Sequence, residues 1–107
     1  MKIERGIIGF NNRNEMIVRS PGQIYHLNNE SFFSRSLKEN DKVLGVIVEN
    51  KFNVIREYIT NKGEFIYGYL LQKSKPGIIQ SISNFNPNNY DPFRSIYKLG
   101  PQFIISL

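Results

Sequence analysis

The sequence predicts an all-β fold, a small and mostly antiparallel β-barrel with additional strands towards the C-terminus. Three observations predict it. Ala is absent and Ile outnumbers Leu, so Ile, Val, Phe and Tyr carry most of the apolar content; such side chains sit well on a pleated surface and are mediocre in helices. Apolar residues recur with a period of two in short runs. Those runs are separated by clusters of Asn, Gly, Pro and charged residues, the usual turn formers.

The first strand spans residues 3–10, and Asn11, Asn12, Arg13 and Asn14 turn the chain, because Asn tolerates left-handed backbone and bonds to its own main chain. Residues 15–19 form the second strand. Ser20, Pro21 and Gly22 close a hairpin-like turn, and residues 23–27 form the third strand. Residues 31–36 carry Phe32 and Phe33, two rings large enough to plug a barrel end from a single helical or 3₁₀ turn. No 3.6-residue period continues far enough for a long helix.

A charged turn, Lys38 to Lys42, launches the strand predicted over residues 42–49. Asn50 and Lys51 separate it from a strand over 52–59, and so short a connection makes the two antiparallel neighbours. After a turn at Asn61, Lys62 and Gly63 comes a strand over 64–72, with Phe65, Tyr67, Tyr69 and Leu71 on one side. The turn at 73–77 leads to a shorter strand over 78–83. Pro87 and Pro92 remove backbone donors from residues 84–97, which predicts a long loop there. A terminal strand over 102–107 completes seven or eight strands, enough to close a barrel.

The 107 residues accommodate one domain with its own core. The expected division within it is a barrel-like part over 1–60 and added strands and loop over 61–107. No stretch approaches the ~20 apolar residues needed to cross a bilayer as a helix, and Lys2, Glu4 and Arg5 interrupt the start in a way a signal peptide does not. The expected setting is therefore cytoplasmic, without membrane insertion.

Chemistry is sparsely represented. There is no Cys, and His26 is the sole histidine, so neither a thiol nucleophile nor a zinc ligand set can be assembled. Phosphate-loop and dinucleotide fingerprints are missing; Gly6 and Gly9 read as close packing in a bent strand. No catalytic residue, metal or cofactor is expected, and a binding role is favoured over catalysis. An enzyme would have to use Lys, Arg, Glu and Tyr residues that the sequence does not locate.

A formal charge of +5 and a pI near 9.6 favour anionic partners. The excess is distributed: 9 basic and 7 acidic residues lie up to Thr60, and 5 basic and 2 acidic after it. Residues 5–11 (Arg5, Gly6, Ile7, Ile8, Gly9, Phe10, Asn11), then Met16 to Val18, Gly22 to His26, and Leu37 to Val43 with Val46 and Val48, resemble a diverged cold-shock domain. That resemblance implies an OB-type five-stranded barrel over about residues 3–57, binding single-stranded nucleic acid without catalysis. It implies Tyr25 and His26 as base-stacking residues with Phe10 beside them. Where the family carries a tryptophan and a basic residue before its Phe-Asn pair, this chain has Gly9 and Ile8, and Asn14 to Ile17 supplies no ring.

The expected nucleic-acid-binding set is thus Tyr25, His26 and Phe10 with Arg5, Arg13, Arg19 and Lys38, for single-stranded RNA or DNA. Phe10, Phe32 and Phe33 also suit the core. A competing expectation is a protein-interaction module or inhibitor on a barrel scaffold, contacting a second protein through an exposed sheet edge or through Tyr90, Phe93, Arg94 and Tyr97 of the late loop.

Overall fold

The structure, a computed structural model, describes residues 2–28, 37–71, 78–94 and 104–105. Nine strands lie among them: β1 Ile3–Phe10, β2 Met16–Ser20, β3 Gln23–Leu27, β4 Lys42–Val48, β5 Lys51–Val54, β6 Arg56–Thr60, β7 Phe65–Leu71, β8 Ile78–Ser81 and β9 Ile104–Ile105. The first five close a barrel in the order β1-β2-β3-β5-β4. β4 returns antiparallel to β1, and β3 runs parallel to β5. This is the five-stranded Greek-key arrangement of an OB-type barrel. The remaining strands form a second sheet, ordered β8-β7-β6-β9.

Strand register decides which residues enter the barrel. Ile8 pairs with Val18, and Val18 with Tyr25; Gly6 pairs with Val43, and Leu27 with Phe52. Partners across a ladder share a face, so these form the interior, with Phe52, Ile8, Val18 and Val43 fully buried. The Phe52 ring lies between two glycines. A Cβ on Gly6 would overlap the Val18 side chain and approach Phe52 Cε2 to 3.2 Å, while one on Gly45 would overlap the ring itself and stand 2.7 Å from the Asn53 carbonyl oxygen.

A second core forms outside the barrel. Leu44 and Val46 point outwards from β4 and are buried against Ile55 and Tyr69, with Ile3, Tyr67, Ile82 and Phe85 around them. The sheet face carrying Tyr67 and Tyr69 thereby covers Leu44 and Val46 on the outer side of β4 and the Ile3 end of β1. The two sheets share one run of chain: β5 ends at Val54, Ile55 donates its N–H to the Leu44 carbonyl at 2.8 Å, and β6 begins at Arg56 with new partners. The strand expected over 52–59 is thus two strands. Its change of sheet depends on distant neighbours, and nothing in the local alternation marks it.

Turn chemistry explains the remaining boundaries. Asn11 Oδ1 accepts the N–H groups of Arg13 and Glu15, both at 2.9 Å, and fixes the β1–β2 turn. Before β4, Asp41 Oδ2 accepts the Lys38 N–H at 2.8 Å, and Asn40 adopts φ 72° while donating its N–H to the Ile8 carbonyl. The charged turn is therefore docked on β1. At Thr60, Oγ1 accepts the N–H groups of Lys62 and Glu64. Of residues 84–97, expected as a loop, 84–94 are described and contain the 3₁₀ turn Pro87–Tyr90, capped by Asn86. The expected features over 31–36 and 73–77 lie outside the described residues.

Glu49 and Asn50, at φ 53° and 62°, form a two-residue hairpin loop between Val48 and its partner Lys51. Two consecutive left-handed residues suit the twist of the flanking strands, and Gly is the preferred second residue. Asn50→Gly should accordingly raise stability by roughly 0.5 kcal/mol, the scale of relieving left-handed strain in Asn. A lower urea midpoint for this variant would contradict the turn assignment.

Candidate nucleic-acid interface

Parity along β2 and β3 separates the residues expected to act together. Tyr25 faces the interior: it pairs with Val18, is half-buried, and its ring is tilted against Phe52 with centroids 6.4 Å apart. Phe10 likewise packs against the barrel core. His26, the next residue, points outwards and is exposed. Adjacent strand residues face opposite sides, so Tyr25 and His26, the two base-stacking residues that the resemblance implies, lie on opposite faces of β3.

The outer face of β1, β2 and β3 has a different composition. Ile24 is 61% exposed, flanked across the ladder by Arg19, which in turn pairs with Ile7. Gly9 makes room for Arg19: a Cβ there would stand 3.0 Å from Nη1 and 3.2 Å from Cζ of the guanidinium. His26 pairs with Ile17 on one side and with Lys51 of β5 on the other. Beside His26, the β1–β2 turn contributes Asn11, Asn12, Arg13 and Glu15 to an open concavity of about 470 Å³. Glu15 is held by Asn11, whose Nδ2 donates to its Oε1 at 3.0 Å.

The face therefore brings together Arg13, Arg19 and His26 from the expected set, and adds Lys51 and Ile24. Lys51 was legible only as a turn residue, because the hairpin loop lies one position earlier than the sequence suggests. Lys38 is exposed in the docked turn before β4.

Arg5 belongs elsewhere. It lies on the outer side of β1 with Cζ 5.9 Å from the Tyr90 ring centroid and 5.7 Å from that of Phe93; Lys42 Nζ lies 5.8 Å from Phe93. Cations at this range are attracted to the ring faces. Tyr90 also stacks on Phe85 at 5.7 Å, and Phe85 is tilted against Tyr67 at 5.3 Å. The late loop thus turns Tyr90 and Phe93 onto the barrel, both half-buried. Partial burial and the negative Glu57 push the Tyr67 hydroxyl up from the usual tyrosine range, opposed by the nearby Arg94. Arg94 is exposed and donates from Nη1 to Asn88 Oδ1 at 2.9 Å. Tyr97, like Phe32 and Phe33, lies outside the described residues.

Among the described residues, no three His, Cys, Asp or Glu side chains converge to hold a metal ion, and no helix is long and apolar enough to cross a membrane. Comparison of the chain with family models, with curated proteins and with solved structures finds no match.

Proposed function

We propose that this chain is a non-enzymatic binding protein whose ligand is single-stranded nucleic acid, held along the outer face of β1, β2 and β3. The observation that supports this reading is the register that sets Arg19, Ile24, His26 and Lys51 on one outer surface, beside Arg13 of the β1–β2 turn. OB-type barrels use this face and the adjoining loops for oligonucleotides. In the proposed mode Arg13, Arg19 and Lys51 neutralise phosphates, while the His26 ring and the Ile24 side chain contact bases. Few rings and distributed cations fit recognition without sequence specificity. The cold-shock resemblance points to the same ligand, with His26 keeping the role it implies and Tyr25 supporting the barrel wall.

Three phosphate contacts predict a modest salt dependence, a slope of log affinity against log salt of about −2 for a single strand. Fluorescence anisotropy with labelled RNA and DNA 12-mers at two salt concentrations measures it. The Arg19→Glu/Lys51→Glu pair should weaken binding at least about tenfold at low salt and flatten the slope. His26→Ala should cost roughly 1 kcal/mol, the low end of one stacked base. Binding unaffected by these exposed substitutions removes the proposed face; no binding at low salt removes the ligand.

A protein-interaction module is the second reading. It is favoured by Phe65, which is 59% exposed at the start of β7. Isolated exposed rings are common on soluble proteins, so this observation weighs less than the grouped cations of the barrel face.

A further inference from the structure

The outer surface of the barrel does not end at Arg19. Ile7 pairs with Arg19 on one side and with Lys42 on the other, so Lys42, Ile7, Arg19 and Ile24 form one row across four adjacent strands. Strands lie about 4.8 Å apart, which sets Lys42 about 10 Å from Arg19 along the row. Arg5 is two residues from Ile7 and shares its side of β1. The row thus leads from the proposed nucleic-acid face to the two cations that meet Phe93 and Tyr90.

Beyond Tyr90 is a concavity of about 460 Å³. Its apolar wall includes Ile3, Phe85 and Tyr90; its rim includes Ser83, Asn84 and Asn89. The volume is within the range of small-molecule sites, which combine an apolar wall with a few polar groups. Asn84 and Asn89 are exposed, and neither side-chain amide makes a hydrogen bond among the described residues. Each presents a carbonyl oxygen and an NH₂ group, the complement of a base edge. Arg5 lies over Tyr90 by its guanidinium carbon, and no hydrogen bond or ion pair from its guanidinium is found among the described residues.

We propose that this concavity is a base-accepting subsite of the same nucleic-acid site, a proposal that rests on the function given above. A strand leaving Arg19 crosses Ile7 and reaches Lys42 and Arg5. Arg5 binds a phosphate through its N–H edge, and the adjoining nucleotide swings its base out against Phe85 and Tyr90. The amides of Asn84 and Asn89 bond to the base edge. The late aromatic loop and the barrel face then act as one extended surface, and binding depends on bases as well as on backbone charge.

The test compares labelled dT12 with a 12-unit abasic strand of identical phosphate count, using the whole chain at low salt. Base entry predicts that the abasic strand binds about tenfold more weakly than dT12. Ser83→Trp, which fills the concavity from an exposed turn position, should lower dT12 affinity towards that of the abasic strand and leave abasic binding unchanged. Asn89→Ala provides a milder variant if the Trp disturbs folding, and should weaken dT12 about threefold with the same salt slope. Binding of dT12 indifferent to both variants overturns the subsite while leaving the barrel-face reading intact. Equal affinities for the two strands overturn the subsite and also the base contacts given to His26 and Ile24, leaving phosphate binding by the barrel face alone. Failure of both strands to bind overturns the reading and the subsite together.

Discussion

Phe52→Ala is expected to destabilise the chain by about 3–5 kcal/mol, the cost of emptying a large buried aromatic site. Phe52 is fully buried in the barrel and touches the Tyr25 ring. It occupies a space that two strands leave open by carrying Gly6 and Gly45 opposite its ring. A domain of this size has only about 5–15 kcal/mol of total stability, so urea midpoints should fall steeply and the variant should be partly unfolded when warm. Coupling distinguishes this arrangement from a generic core position. In the parent, Gly6→Ala meets Val18 and the Phe52 ring and should cost about 1–3 kcal/mol by overpacking. Combined with Phe52→Ala, the added methyl has vacated space beside it, and the double variant should be more stable than the sum of the single effects predicts. Additive losses would show that the overlap with Val18, which Phe52→Ala leaves in place, sets the cost of Gly6→Ala rather than the ring.

The glycines show how much of the barrel was legible in the sequence. Gly6 and Gly9 stood out as close-packing positions, but their different tasks follow from parity and pairing: Gly6 faces Val18 and Phe52 inside, whereas Gly9 lies under the Arg19 guanidinium outside. β1 and β3 coincide with the runs of alternating apolar residues, and β2 and β4 depart from theirs by one residue at their ends. The hairpin between β4 and β5 was displaced by one residue because Glu49 reads as strand-compatible and Lys51 as polar turn. The backbone instead places Glu49 and Asn50 in left-handed conformation and gives Lys51 to β5. That shift brings Lys51 beside His26.

Less of the candidate site was legible, for two physical reasons. Tyr25 and His26 are neighbours on a strand, so period-two geometry already forbids a shared face; the resemblance joined what parity separates. The meeting of Arg5 with Tyr90 and Phe93 bridges residues 85 or more positions apart along the chain, and no local pattern announces it. It depends on the second sheet packing over Leu44 and Val46, two β4 residues that a lone barrel would have exposed. The cations and rings assigned by sequence to two separate binding modes are thereby joined on the structure.

Alkali should destabilise this chain chiefly through Tyr58, with the Tyr67 hydroxyl, also raised, acting in the same direction. It is 2% exposed, and its hydroxyl finds no hydrogen-bond partner among the described residues. Burial pushes the phenol up to about 12 from the usual 10, with the positive Arg56 pulling modestly the other way. Below pH 10 the phenol is protonated in folded and unfolded chains alike, and its contribution to stability is fully present. Between about pH 10 and 12 the unfolded chain releases this proton while the folded chain retains it, so unfolding is favoured as pH rises. Two pH units of difference correspond to roughly 3 kcal/mol lost by the upper end of that window. Tyr58→Phe keeps the ring and removes the titrating group, along with a buried hydroxyl whose missing partner itself costs free energy. Urea denaturation at pH 9 and pH 11.5 should show the Phe variant at least as stable as the parent at the lower pH, and clearly more stable at the higher. Parallel losses for both chains would assign the alkaline transition to other groups, and would mean that the Tyr58 phenol reaches water in the folded state.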